Sequence, residues 1–292
     1  MDFANLDINK KIILSVQNPI IKEIALLKQK KYRDKNNVYC LEGIRLIEEC
    51  LKSKCRVKTV IYTKEVLKKR RLQDALYTFG KKFLKNNPNS ANYFDFFNID
   101  KIPFLEVSPE VYNKISDTEE PQGVMVIVEK FEYSLDRLFS KNKSDHFIAV
   151  LDNIQDPGNV GTIIRTADAA GCSAVIMLQG TADLFNPKTV RSSMGSLFHL
   201  PIIQGIESQN LIKYLKENNV ALYATALDSN NNYTNMKFTK PLAIAFGNEA
   251  NGLSENILKN ADKNVCIPIH GQAESLNVSV AAGIILYEIA KI

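Results

Sequence analysis

The stretch FIAVLDNIQDPGNVGTIIRTADAAG, residues 147–171, decides the fold class. Residues 147–151 form an unbroken apolar run, the pattern of a strand buried on both faces in a parallel sheet. Pro157 and Gly158 supply a turn. From Asn159 onward Ile163, Ala167 and Ala170 recur at i, i+4 and i+7, one face of a helix, and Gly171 stands where that helix should stop. Asn159 read by itself is a helix cap. Arg165 shares a helix face with Asp168, so its plain reading is an i, i+3 ion pair.

Toward the C-terminus the alternation continues. AVIML (174–178) reads as a strand and NPKTVRSSMGSLF (186–198) as a helix with Pro187 near its first turn. LPIIQ is a strand, QNLIKYLKEN a helix, VALYATAL and LAIAFG strands, SENIL a short helix and VCIPI a strand. The last helix begins at Val278 and is apolar nearly all round, which predicts burial on all sides. Strands alternating with helices mean an α/β fold with a mostly parallel sheet.

Toward the N-terminus the strands VYCLEG (38–43), VKTVIYT (57–63) and QGVMVIVEK (122–130) are separated by helical patterns, including KEVLKKRRLQDAL (64–76). Residues 80–101 are polar and turn-rich and read as a loop. DRLFSKNKSDH (136–146) reads as a linker. The expected organisation is a smaller α/β domain over 1–130, a linker over 131–146 and a second domain over 147–292.

The chain has 292 residues, 45% hydrophobic and 24% charged, a globular composition. No apolar run reaches the roughly 18 residues of a membrane span, and the start MDFANLDINKK has no apolar signal core. Five cysteines without C-x-x-C, with only three histidines, argue against a disulfide framework or a zinc site and fit a reducing cytoplasm. The net charge of +5 is unevenly spread. Residues 22–85 hold 19 Lys/Arg against 7 Asp/Glu, whereas residues 141–292 hold 12 against 13. Basic blocks of this kind are the footprint of a nucleic-acid contact, with a solvated lysine-rich face as the plainer alternative. Lys30, Lys31, Arg33, Lys68, Lys69, Arg70 and Arg71 are the candidate residues for contact with RNA or DNA.

In open α/β sheets ligands bind beyond the carboxyl ends of the strands. Four such ends carry polar or glycine clusters: LDNIQDPGNVGTIIR (151–165), TALD (225–228), FGNEANGLSE (246–255) and IPIHGQAESLN (267–277). Taken singly, Glu249 is a turn residue and Ser275 an N-cap. No phosphate-cradling P-loop and no G-x-G-x-x-G after a strand is present. The histidines (His146, His199 and His270) are scattered, which disfavours Ser-His or Cys-His catalysis.

DNIQDPGNVGTIIRTADAAG, IAFGNEANGLS and IPIHGQAESLNVSVAAGIILYE resemble the three motifs of the SpoU (TrmH) family of RNA ribose 2′-O-methyltransferases, in order and correctly spaced. FNPKTVRSSMGSLFHLP between them is similar to that family too. Residues 14–51 and ISDTEEPQGVMVIV (115–128) resemble the small substrate-binding domain of its ribosomal-RNA members. The resemblance implies a SPOUT-type domain with a trefoil knot, S-adenosylmethionine as cofactor, no metal, and a homodimer whose active site is assembled across the interface. It implies cofactor contacts, mostly through backbone groups, at Leu227, Phe246, Gly247, Asn248, Ile267, Pro268, Leu276 and Asn277. It implies a catalytic set of Asn159, Arg165, Glu249, Ser275 and Asn277. An arginine with pKa above about 12 is a poor base, so Arg165 is expected to position phosphate and stabilise alkoxide charge, leaving the general base open. The added first domain points to ribosomal RNA. The alternatives are a transfer-RNA ribose methyltransferase and a non-catalytic RNA-binding ribosome-assembly factor on the same fold.

Overall fold

The computed structural model describes residues 12–75, 102–140, 145–227 and 231–292. The stretch read as a loop over 80–101 falls wholly outside the described residues, as do 141–144 of the expected linker. The chain divides into two compact units, Met1–Phe131 with Phe185–Pro187, and Glu132–Leu184 with Lys188–Ile292.

The first unit holds a four-stranded sheet of β1 (Val38–Glu42), β2 (Val57–Tyr62), β3 (Phe104–Glu106) and β4 (Val124–Glu129), in the order β1-β4-β2-β3. β4 runs antiparallel to β1 and β2, and β3 lies parallel to β2. Helices Pro19–Leu26 and Pro109–Ile115 pack together on this sheet. Each starts with a proline behind a capping side chain, Asn18 accepting from Ile20 N at 2.9 Å and Ser108 from Val111 N at 3.3 Å. Their buried faces, with Ile21, Ile24, Val111 and Ile115, meet Ile61 and Ile127 of the sheet.

Three expectations are corrected in this unit. The pattern over 64–76 is not one helix. A 3-10 helix, Lys64–Lys68, ends at Lys69 in extended conformation, and a second helical segment covers 70–75. Val66 and Leu72, six residues apart, would point about 120° apart on one continuous helix, and the break buries both. Second, Cys50 and Cys55 form a disulfide. Ser53 folds the chain back behind helix Ile44–Lys52, its hydroxyl donating to Cys50 O at 2.7 Å and accepting from Cys55 N at 3.1 Å. Third, Arg33 is no RNA contact. It is 2% exposed, and its Nη1 donates to Leu27 O at 2.9 Å and Lys28 O at 2.7 Å, satisfying carbonyls at the end of the preceding helix.

The second unit holds six parallel strands: β5 (Phe147–Leu151), β6 (Ala174–Leu178), β7 (Ile202–Ile206), β8 (Ala221–Thr225), β9 (Leu242–Phe246) and β10 (Lys263–Val265). Their order is β10-β8-β9-β5-β6-β7. β5, β6 and β9 are buried at every position, which is why their sequences are unbroken apolar runs. After β7 the chain returns past β5 to build β8, so β9 fills the slot between them and the order reverses there. β10 lies earlier than the expected strand VCIPI (265–269) and shares only Val265 with it; Pro268, which has no N–H to donate to a ladder, falls beyond the strand.

The stretch read as a linker carries helix Leu135–Phe139, whose Leu135 and Phe139 are buried with Ile148, Ile176 and Leu211. Leu135, Leu138 and Phe139 sit at i, i+3 and i+4, an apolar stripe that the flanking charges hid. The last helix spans Val278–Ile289 and packs on helix Pro157–Ala169. It is not buried on all sides within one chain. Ala282, Ile285, Leu286 and Ile289 are covered, but Val280 is 51% and Tyr287 55% exposed. Among the described residues no helix is long and apolar enough to cross a membrane.

Candidate active site

A cleft of about 540 Å³ opens beyond the carboxyl ends of β8, β9 and β10, beside the order reversal of the sheet. Its walls come from the three segments that follow those strands. Leu227 continues β8, Phe246 and Gly247 close β9, and Ile267 and Leu276 belong to the passage from β10 to the last helix. Val278, Ala281 and Ile285 of that helix form its floor. Gly247 is required by close approach: a Cβ there would lie well inside 3.0 Å of the Gly252 and Leu253 backbone. Leu227, 68% exposed at the cleft, is an apolar side chain left for a ligand to cover.

Of the residues expected to contact a cofactor, Leu227, Phe246, Gly247, Asn248, Ile267 and Leu276 line this cleft, as do Glu249 and Ser275. Pro268 and Asn277 are adjacent to lining residues but do not line it. The Asn248 amide is also engaged within the protein. Its Oδ1 accepts from Ala250 N at 2.8 Å and Asn251 N at 3.1 Å, its Nδ2 donates to Asn153 O at 3.0 Å, and its backbone pairs both ways with Gly252.

Three of the five expected catalytic side chains are joined directly. Asn159 Nδ2 donates to Glu249 Oε1, and Asn277 Nδ2 lies 3.2 Å from both Glu249 Oε1 and Asn159 Oδ1. They come from three separate strand-end segments, 90 and 118 residues from Asn159 in the chain. Asn277 also caps the last helix, its Oδ1 accepting from Ser279 N at 2.9 Å and Val280 N at 3.4 Å. That cap was expected at Ser275, two residues earlier. Asn159 likewise is not the cap of its helix. Asp156 is, accepting from Gly158 N at 2.5 Å and Asn159 N at 3.2 Å. With its carboxylate also 3.0 Å from Lys188 Nζ, Asp156 is held below the usual carboxylate range, chiefly by that lysine. The side chain of Asn159, at the third helical position, is thereby free to reach Glu249.

Arg165 stands apart from this cluster. Six residues on from Asn159, it points about 120° away around the helix. Its face is that of Gly161, which lies against Thr189 and Ser192, and of Asp168. The i, i+3 pair with Asp168 is absent, because Asp168 bonds His199 Nδ1 at 2.7 Å. Arg165 is exposed and makes no hydrogen bond or ion pair among the described residues.

Sequence reasoning missed Asp152, Asn153 and Asp156. Asp152 is buried and accepts Ser254 N at 2.7 Å, and Asn153 adopts a left-handed conformation with φ 57°. An aspartate directly before a proline at a helix start is a cap signature, so Asp156 was readable. The other two work through contacts between distant segments, which no local pattern marks.

No group of three or more His, Cys, Asp or Glu is placed to hold a metal among the described residues. Of the basic candidates outside this unit, Lys30, Lys31, Lys68, Lys69, Arg70 and Arg71 are all exposed, and Arg71 is in addition tied to Glu48, Nε–Oε2 2.7 Å.

Residues 146–287 match the SpoU rRNA methylase family and residues 18–126 the MRM3-like substrate binding domain. The chain is 36% identical over 282 residues to the 23S rRNA (guanosine(2553)-2′-O)-methyltransferase RlmP of Bacillus subtilis, covering 96% of this chain and 99% of that protein. It is 29% identical to human mitochondrial rRNA methyltransferase 3, over 91% of this chain and 70% of that one. The AdoMet-bound rRNA methyltransferase from Sinorhizobium meliloti superposes with a TM-score of 0.79 at 31% identity, covering 96% of this chain and 97% of that one. With both of its units matched and 96% of its length shared with a 36% identical relative, the chain belongs to the SpoU rRNA methylase family.

Proposed function

We propose that the chain transfers the methyl group of S-adenosylmethionine to a ribose 2′-hydroxyl of ribosomal RNA. The observation that carries this reading is the joined set Asn159, Glu249 and Asn277, three side chains from distant segments, with Glu249 on the wall of the cleft. The cleft fits the cofactor: its volume lies in the small-ligand range, its walls are largely apolar, and an exposed leucine overhangs it. When bound, the cofactor supplies a methyl group on a sulfonium, an already activated leaving group, so the reaction is read as metal-free.

The chain's own residues have the remaining work. A ribose hydroxyl is a poor nucleophile until it sheds its proton. Glu249 is held through Oε1 by Asn159 and Asn277, and its Oε2 takes no hydrogen bond among the described residues. That oxygen is the acceptor we assign to the ribose hydroxyl. Ser275, exposed on the cleft wall, is placed to donate to the same ribose. Arg165 supplies the positive charge for the developing alkoxide and the neighbouring phosphate, without acting as a base.

Since Arg165 leaves its helix on a different face from Asn159, we assign it to the site of a second copy. A homodimer is supported by the exposed Val280 and Tyr287 on the otherwise apolar last helix. We also infer a trefoil knot near the C-terminus with residues 272–277 as the loop threaded into it, as family membership leads one to expect, and that the enzyme works in the cytoplasm. We take the substrate domain to end near residue 131 and the methyltransferase domain to begin with the segment carrying helix Leu135–Phe139.

Calorimetry of the pure protein with S-adenosylhomocysteine, without added metal, tests cofactor binding. A measurable affinity abolished by Gly247→Val is expected. No binding at millimolar ligand would leave the chain an RNA-binding protein without catalysis.

A further inference from the structure

Asn248 sits immediately before Glu249, yet among the described residues its hydrogen bonds all go to backbone groups of its own loop and of the segment after β5. Its Oδ1 accepts from two consecutive backbone N–H groups, Ala250 N at 2.8 Å and Asn251 N at 3.1 Å, closing a tight turn around Glu249. Its backbone N donates to Gly252 O at 2.9 Å and its carbonyl accepts from Gly252 N at 2.8 Å, pinning the far side of that turn. Its Nδ2 donates to Asn153 O at 3.0 Å, on the segment that follows β5. That carbonyl is presented by a backbone in the left-handed region, φ 57°, an uncommon conformation that asparagine tolerates better than most residues. Beside it, buried Asp152 accepts Ser254 N at 2.7 Å, so the loop is tied to the end of β5 at both of its ends.

The same β5 segment leads through the Asp156 cap to Asn159, the residue that bonds the Glu249 carboxylate. Glu249 and its partner are thus referenced to one another twice, once side chain to side chain and once through the Asn248–Asn153 bond. We propose that Asn248 is a positioning residue for methyl transfer, which sets the Glu249 carboxylate by clamping its turn to the left-handed carbonyl of Asn153, and that it is not a cofactor ligand. The inference rests on the reading of Glu249 given above.

An exposed glutamate on a turn has many rotamers and a movable backbone. Fixing the backbone on both sides removes that freedom, and a displacement of about 1 Å of a group at a reacting centre can cost on the order of 100-fold in rate. The substitution Asn248→Asp separates the parts. Aspartate keeps both acceptances from Ala250 and Asn251, so the turn still closes. It loses the donor to Asn153 O and places a carboxylate against a carbonyl.

The test uses the full-length protein, saturating S-adenosylmethionine and its RNA, with three variants: Asn248→Asp, Glu249→Ala and the pair. Single-turnover rate, S-adenosylhomocysteine affinity and thermal midpoint are read together. The inference predicts that Asn248→Asp folds, binds S-adenosylhomocysteine within a factor of about three, well under a tenfold step of about 1.4 kcal/mol, and transfers methyl about 100-fold more slowly. In the Glu249→Ala background the same change should have almost no further effect, because there is no carboxylate left to position. An unchanged rate overturns the inference. So does a loss of cofactor affinity large enough to account for the slower rate, which returns Asn248 to the cofactor site. An equal loss in both backgrounds overturns it as well and leaves a loop stabiliser. A fully active Glu249→Ala sinks the reading of Glu249 itself, an outcome distinct from the other three. Should Asn248→Asp fail to fold, Asn248→Ser, which keeps an acceptor without the long donor, is held to the same outcomes.

Discussion

Asn277 caps the last helix with its Oδ1 and, through Nδ2, lies 3.2 Å from the Glu249 carboxylate. One side chain therefore starts the helix and joins the site, so the orientation of the amide is fixed by both duties. Asn277→Asp keeps the cap acceptor but sets two carboxylates side by side. It should melt close to the parent and lose methyl transfer. Asn277→Ala should lose both, with a stability cost of about 1 kcal/mol for the missing cap. Thermal denaturation beside single-turnover kinetics checks this. An active Asn277→Asp would detach Asn277 from the chemistry.

Arg165→Ala should leave a folded dimer that binds cofactor normally and transfers methyl on the order of 100–1000 times more slowly. Mixing it with Glu249→Ala tests the shared site. If Arg165 serves the partner's cleft, mixed dimers carry one intact site and activity reappears on mixing two inactive proteins. Failure of the mixture to recover, with subunit exchange verified, would place Arg165 in its own chain's site.

Much of the fold was legible because burial on two faces forces local composition. FIAVL, AVIML and LAIAF have no other use for so many consecutive apolar residues, and each became a fully buried strand. Segments with half-hidden stripes were not legible. Leu135 and Phe139 are interleaved with Asp136 and Arg137 and read as linker, and Val66 with Leu72 read as one helix until the break at Lys69. At the site, the residue types were readable but their division of labour was not. Asp156, rather than Asn159, caps helix Pro157–Ala169, and that exchange is what lets Asn159 reach across 90 residues to Glu249. Sequence cannot rank two neighbouring polar residues for one cap when the deciding partner lies in another segment.

RNA binding by the first unit should follow exposure rather than charge count. Replacing Lys68, Lys69 and Arg70 with Gln should weaken RNA binding and reduce its salt slope by up to about one unit for each phosphate no longer neutralised. Arg33→Gln should leave the slope alone and destabilise the protein by about 1–3 kcal/mol, because two helix-end carbonyls lose their buried donor. Salt titrations of RNA affinity and thermal melts separate these effects. A reduced slope in Arg33→Gln would contradict its burial.

His146 is 5% exposed, and its Nε2 has no partner among the described residues. Burial holds this imidazole below its ordinary value, against a smaller opposing pull from Asp145. With a folded value lower than the unfolded one of about 6.5, the unfolded chain takes up the proton first as pH falls. Stability should therefore be full above about pH 6.5, decline below it and level off once the folded value is passed. His146→Phe should flatten this part of the melting-temperature profile. An unaltered profile would assign the acid sensitivity elsewhere.

The most direct test of the central claim is methylation of ribosomal RNA with radiolabelled S-adenosylmethionine and the pure protein, followed by complete nuclease digestion. The account predicts label on the 2′-oxygen of a nucleotide in ribosomal RNA, without added metal, and much slower labelling with Glu249→Ala. Label on a base, label in transfer RNA alone, or no label with protein shown to bind the cofactor would contradict it.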